Sequence, residues 1–333
     1  MKTFSPAAFL FASLLGLPLP AQDPPASAPA QADEAIKVQI DLVNILFSVS
    51  SKQGEHIANL TKDDFTIFEE GKQQEIKYFT HETDLPLTLG LLIDVSASQM
   101  NLIGIEQNAA TRFFEQVIRP KDLAFVISFG SEAELLQDYT SSPKLLQKSL
   151  KGLQVNSDVG GITAGPVPTM SHPRGTILYD AIYLAADQQL RGQVGRKALV
   201  LITDGEDQGS RYRIDQAIEA AQKADAILYS IYYVDRAFYS QGGYRIPFGG
   251  GGESYLKKMS EETGGRVFRV DSKHTLHDVF QELQDELRSQ YAVSYSPTNP
   301  DKDGKFRRID IKTANKDYKV RARKGYYAMP PER

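Results

Sequence analysis

Asp94-Val-Ser96-Ala-Ser98 sets one carboxyl and two hydroxyl side chains at every second position of a five-residue stretch. Three oxygen donors gathered in one turn suit a hard divalent cation such as magnesium, which takes about six oxygens in near-octahedral geometry and keeps some waters. An enzymatic reading fits less well. An aspartyl-phosphate phosphatase needs a second carboxylate two residues after the first, and Ser96 stands there. No Gly-x-Ser-x-Gly elbow, His-Glu-x-x-His pair or Gly-x-x-x-x-Gly-Lys-Ser/Thr loop occurs in the 333 residues. Ser98 alone also reads as a helix N-cap, so the motif gains weight only from what else reaches the same place.

The elements around it say how that place is built. Leu87-Thr-Leu-Gly-Leu-Leu-Ile is short, β-rich and nearly all apolar, the pattern of a strand buried on both faces, and it ends in Asp94. Ala198-Leu-Val-Leu-Ile-Thr203-Asp204 repeats the pattern, again ending in an acid. Phe125 to Phe129 and Ala226 to Val234 read as further buried strands, and Ala133 to Leu136 as a short edge strand. Between them, apolar residues at helical spacing mark 102–117, 144–153, 177–185, 214–224, 253–262 and 276–290. Strands alternating with helices imply an α/β fold: a doubly wound, mostly parallel, Rossmann-like sheet with helices on both faces. Ligands of such sheets sit at the carboxyl ends of strands, near the point where strand order reverses. If the strands ending at Asp94 and Asp204 are neighbours, both carboxylates reach one crevice.

The flanks differ in texture. Residues 37–85 hold short alternating strands and no clear helix. A change of phase within Val38 to Val49 suggests a bulge or a strand that leaves one sheet for another, and Phe65 to Phe68 and Ile76 to Phe79 flank Glu69-Glu70-Gly71-Lys72 as a hairpin. Residues 291–328 again alternate. Because a lone hairpin is marginal, the two segments are expected to pair into one small antiparallel β-sandwich, with residues 86–290 inserted between them.

Ahead of these, Met1-Lys2 and the apolar run Ala7 to Leu19, followed by the small Ala21, read as a secretory signal peptide spanning 1–21. The run falls short of the roughly 20 residues of a membrane span. Residues 22–36 are a Pro/Ala-rich linker. Export to a periplasm, cell surface or extracellular space is therefore expected, with no transmembrane segment after cleavage. Cysteine is absent, which excludes a disulfide framework, and the net charge of −4 gives no support for nucleic-acid binding.

Asp94-x-Ser96-x-Ser98, Gly175-Thr176-x-x-x-Asp180 and Thr203-Asp204-Gly205 together resemble the metal-ion-dependent adhesion site (MIDAS) of von Willebrand factor type A (VWA) domains, over roughly Leu87 to Gln290. The flanking Phe65-Thr-Ile-Phe-Glu-Glu-Gly-Lys and Arg323-Lys-Gly-Tyr-Tyr further resemble exported bacterial proteins built around such a domain. The resemblance implies a magnesium ion, with manganese or calcium as alternatives, held by Asp94, Ser96, Ser98, Thr176 and Asp204. It also implies a protein ligand whose exposed Asp or Glu completes the coordination. Asp180 is expected either behind these ligands or as favourable charge at a helix N-terminus. Glu206 and Asp207 read as solvated loop acids. Of the histidines His56, His81, His172, His274 and His277, only the last two are spaced like metal ligands, and they read as surface. The Gly-rich stretches 156–175 and 236–252 should lie on the metal face, and Tyr239, Tyr244, Arg245 and Phe248 are types enriched in interface hot spots. A structural role, with the metal only stabilising the fold, is the competing expectation.

Overall fold

A computed structural model describes residues 42–82, 84–155, 175–235 and 251–330. The expected signal peptide and linker, most of the two Gly-rich stretches, His172, Tyr239, Tyr244, Arg245 and Phe248 lie outside them.

The sheet that carries the motif is six-stranded. Its strands are β5 (Leu87–Asp94), β6 (Leu123–Phe129), β7 (Ala133–Thr140), β8 (Arg196–Thr203), β9 (Ala226–Tyr232) and β10 (Val267–Arg269), in the order β10-β9-β8-β5-β6-β7. All neighbours run parallel except β7, which closes one edge antiparallel. Every residue of β5 and β8 is buried, as expected of strands covered on both faces. Helices α1 (Ile103–Val117), α2 (Pro143–Leu150) and α6 (Leu276–Arg288) share a core with Leu89, Leu91 and Val200. The opposite face, with Leu92, Phe125 and Leu201, is covered by α3 (Leu178–Leu184), α4 (Ile214–Lys223) and α5 (Gly251–Thr263). Gly90 lets these layers close, because a Cβ there would collide with the Phe125 ring and with Leu199. Strand order reverses between β5 and β8. Their register pairs Ile93 with Ile202, so Asp94 and Thr203-Asp204 leave the sheet side by side.

Two four-stranded antiparallel sheets make up the rest. One, in the order β13-β1-β11-β4, consists of β1 (Val43–Ser51), β4 (Ile76–Glu82), β11 (Gln290–Tyr295) and β13 (Tyr318–Ala322). The other, in the order β14-β12-β2-β3, consists of β2 (Phe65–Glu69), β3 (Lys72–Gln74), β12 (Phe306–Thr313) and β14 (Gly325–Tyr327). Each sheet draws strands from before and after the α/β domain. Their inner faces share one core, in which Phe47, Ile67, Tyr291 and Ile311 are buried together.

Two expectations change. The hairpin is β2–β3, turning through Glu70 and Gly71 at φ 48° and 77°, while Ile76–Glu82 crosses into the other sheet. Both turn residues in the left-handed region favour a two-residue connection, too tight for the longer loop that the spacing suggests. The phase change is not a bulge in the described part of β1. Val43 to Ser51 pair without a register shift, and Ser48 and Ser50 are buried along with Ile45, Phe47 and Val49. The outward face of β1 is covered because it packs toward α6, where Ser48 Oγ donates to Glu286 Oε1 at 3.1 Å. Glu286 in turn accepts from Arg266 Nε at 2.6 Å.

Candidate metal centre

Asp94 ends β5 with its side chain out of solvent. Its Oδ1 accepts the Ser96 amide at 2.9 Å, and its Oδ2 accepts the Thr203 hydroxyl at 2.6 Å. Thr203 Oγ1 accepts the Gly205 amide at 3.0 Å, so one chain of hydrogen bonds ties the ends of the two neighbouring strands. Ser96 leads into a short 3-10 turn, Ala97–Gln99, which no side chain caps. The Ser98 hydroxyl instead donates to Asp204 Oδ2 at 2.7 Å, and the Ser96 and Ser98 hydroxyl oxygens lie 3.1 Å apart. That removes the N-cap reading of Ser98. Asp204 Oδ1 accepts the Glu206 amide at 3.2 Å. Gly205 has φ 79°, and a Cβ on it would meet the Gly252 backbone at 2.6 Å, so the turn after Asp204 fits closely against the start of α5.

Ser96, Ser98 and Asp204 thus form one hydrogen-bonded string of oxygens, and Asp94 joins it through the Ser96 amide. Thr176 is buried and fixed by its backbone surroundings. Its carbonyl accepts the Gln208 amide at 3.0 Å, and the next amide, Ile177, donates to Gly130 at the end of β6 at 2.9 Å. Its hydroxyl makes no hydrogen bond to the other four residues.

Asp180 lies in the first turn of α3, and its Oδ1 accepts the Arg211 and Tyr212 amides at 2.8 and 2.9 Å. It fastens the loop that follows Asp204, and none of its recorded bonds reaches the oxygen string. Asp207 is not simply a solvated acid. It accepts the Tyr179 amide at 3.3 Å and the Ser210 hydroxyl, and Ser210 Oγ also accepts the amides of Tyr179 and Asp180, closing the N-terminus of α3. His274 bonds Glu282 at 2.7 Å and the Arg269 carbonyl at 3.0 Å, away from His277.

Glu106 was not anticipated. It is on α1 with no solvent exposure, and among the described residues neither its carboxyl oxygens nor the buried Gln99 Oε1 has a hydrogen-bond partner. Burial raises its pKa well above the usual carboxylate range, and the charges of Asp94 and Asp204 push the same way. Burial also lifts Asp94 to about 7, helped by Asp204 and opposed by the hydrogen bonds from Ser96 and Thr203. A sequence signal for Glu106 exists: it stands at helical spacing from Ile103 and Ala110, on the apolar face of α1. Among the described residues no histidine bonds either serine, and the Ser98 hydroxyl faces the Asp204 carboxylate instead. Nor do three or more His, Cys, Asp or Glu residues gather as a metal cage among them. The oxygens here come from hydroxyls as much as from acids.

A doubly wound sheet with helices on both faces, and an Asp-x-Ser-x-Ser turn at its strand-order reversal, define a VWA-like α/β domain. No protein-family profile matches the chain, and no curated protein matches it. Solved structures of similar fold include an aerotolerance-related membrane protein from Bacteroides fragilis, 17% identical, covering 60% of this chain and 98% of that one at a TM-score of 0.43. The SpRpn10 VWA domain is 12% identical, covering 60% and 94% at 0.38. Proximal thread matrix protein 1 of the mussel byssus, with a zinc-occupied MIDAS motif, is 14% identical, covering 66% of this chain and 49% of that one at 0.45.

Proposed function

We propose that this protein is a non-enzymatic interaction module that holds a magnesium ion with Asp94, Ser96, Ser98, Thr176 and Asp204. The ion would be presented to an exposed Asp or Glu of a partner protein. The observation that carries the reading is the oxygen string. Its O···O separations of 2.7 and 3.1 Å bracket the roughly 2.9 Å between adjacent oxygens around a magnesium with bonds of about 2.0–2.1 Å. Manganese suits the same set. Calcium, with bonds of about 2.3–2.6 Å, suits it less well. When bound, the ion supplies an electrophilic position for an incoming carboxylate. The protein's part is to hold Asp94 through Thr203 and Ser96 and to aim the two serine hydroxyls. Its two buried carboxylates repel each other without a counter-charge, and the cation relieves that repulsion.

In this reading residues 1–21 direct export, residues 22–36 tether the folded part, and Tyr239, Tyr244, Arg245 and Phe248 contribute to partner contact.

Calorimetric titration of the chelator-treated protein with Mg²⁺ tests the proposal. One saturable site is expected, lost in Asp94→Ala and weakened in Ser98→Ala. Absence of binding at millimolar Mg²⁺ in the folded wild type would refute it. Partner capture from a native cell envelope is expected to require Mg²⁺. Capture that persists after chelation would leave the ion a purely structural role.

A further inference from the structure

The amino ends of the sheet strands, opposite the Asp94–Asp204 turn, hold a second polar site. Lys197, second residue of β8, is only 8% exposed. Among the described residues no hydrogen bond or ion pair closes on its ammonium. It faces a cavity of about 300 Å³ whose wall also includes Arg323, Asp225, Asn44, Gln222 and Thr263. A second cavity, of about 400 Å³, shares Asn44, Gln222, Asp225 and Arg323 with the first. Arg323 is already committed: Nη2 donates to the Asn44 carbonyl at 2.9 Å, and Nη1 pairs with Asp225. Asp225, 60% exposed in its side chain, is therefore the one acid facing two cations in the first cavity. It is also one of two non-glycine residues with positive φ among the described residues, at 54°.

Buried charges in proteins are ordinarily paired, because an unpaired ion gives up its hydration for nothing. Lys197 buries its stem, while its ammonium keeps its hydration only on the side of the cavity. Its pKa is lowered, by burial first, with Asp225 opposing and Arg323 adding to the effect. The cavity beside it carries one positive charge in excess, and Leu46 and Ile227 give it an apolar wall. We propose that this cavity binds a small organic anion, a carboxylate or a phosphate monoester, with its charged head against Lys197 beside Arg323 and its apolar part against Leu46 and Ile227. The volume is at the low end for ligand pockets, which sets the ligand's size. The site needs neither the metal nor the Asp94 cluster.

Titration of the full chain with benzoate and with phenyl phosphate, at matched chloride concentration, tests it. Saturable binding of at least one is expected, and which one binds assigns the head group. Lys197→Met, close in volume, should weaken that binding at least about tenfold through loss of a charge-assisted contact. Asp225→Asn keeps a residue tolerant of positive φ and removes the competing acid, so it should tighten binding several-fold. No saturable binding of either anion up to 10 mM (roughly the weak limit for a single charged contact) would overturn the proposal. So would equal binding by folded Lys197→Met. If that variant does not fold, acylation of Lys197 in the wild type, mapped by mass spectrometry, replaces it. Slowing by the anion is expected, and an unchanged rate overturns the site.

Discussion

Stripping divalent cations from the protein and raising the pH from 4 to 8 should destabilise it, through Glu106 and, separably, through Asp94. In the folded chain the Asp94 carboxyl titrates near 7, against 3.8 for the ordinary group. Between those values the folded state holds a proton that the unfolded state has released, so stability falls through the window and the loss is complete above about pH 7. Worked at 1.36 kcal/mol per pH unit, the loss is on the order of 4 kcal/mol, or roughly 8 °C in Tm for a chain of this size. Glu106 shifts in the same direction, so the assay must be differential. Asp94→Asn supplies the difference. Its Oδ1 still accepts the Ser96 amide, but its Nδ2 cannot accept the Thr203 hydroxyl proton as Asp94 Oδ2 does, so that donation is lost. That loss costs about 1 kcal/mol. In metal-depleted buffer Asp94→Asn should therefore be about 1 kcal/mol less stable than wild type at pH 4 and about 3 kcal/mol more stable at pH 8. Urea unfolding at five pH values reads both numbers. Parallel stability curves for the two proteins would refute the reasoning.

Asp122 is fully buried and accepts the Leu87 amide at 2.9 Å, the Arg119 amide at 3.0 Å and Arg288 Nη2 at 2.6 Å. Asp122→Ala leaves a largely buried guanidinium short of its counter-charge and should cost about 3–5 kcal/mol in urea unfolding. Asp180→Ala should leave global stability within about 1 kcal/mol while speeding hydrogen exchange at the Arg211 and Tyr212 amides, which it alone is seen to cap.

The α/β layer was legible because it is written in long, strongly periodic runs. β5 and β8 are apolar at nearly every position, and nothing but a strand covered on both faces fits them. The acids at their ends followed from the same pattern. The β-sandwich was legible as a class but not in its pairing, since short alternating strands do not specify their neighbours. Whether Ile76–Glu82 pairs back on β2 or crosses to β11 depends on the left-handed turn at Glu70-Gly71, and no hydrophobic pattern encodes that choice. Glu106 was hidden by its residue type, because an acid on a helix is expected at the surface. Asp180 was expected behind the metal ligands or as helix-terminal charge, and Asp207 as a solvated acid; both accept backbone amides, which spacing alone does not reveal. Ser96 and Ser98 stood out because they follow a strand end at every second position, whereas Thr176 was expected only from the family resemblance.

The interleaving of β11 between β1 and β4 has a mechanical consequence. The α/β domain joins this sheet at Glu82 and Gln290, which stand directly opposite each other at one end of it. Val43, where the described chain begins its first strand, is opposite Tyr295 at the other end. A pull between the α/β domain and the chain ahead of Val43 therefore runs along the strands. The five paired positions of β1 and β11 are loaded together in shear. They cannot be peeled apart one at a time, as they would be if both pulls met at the same end.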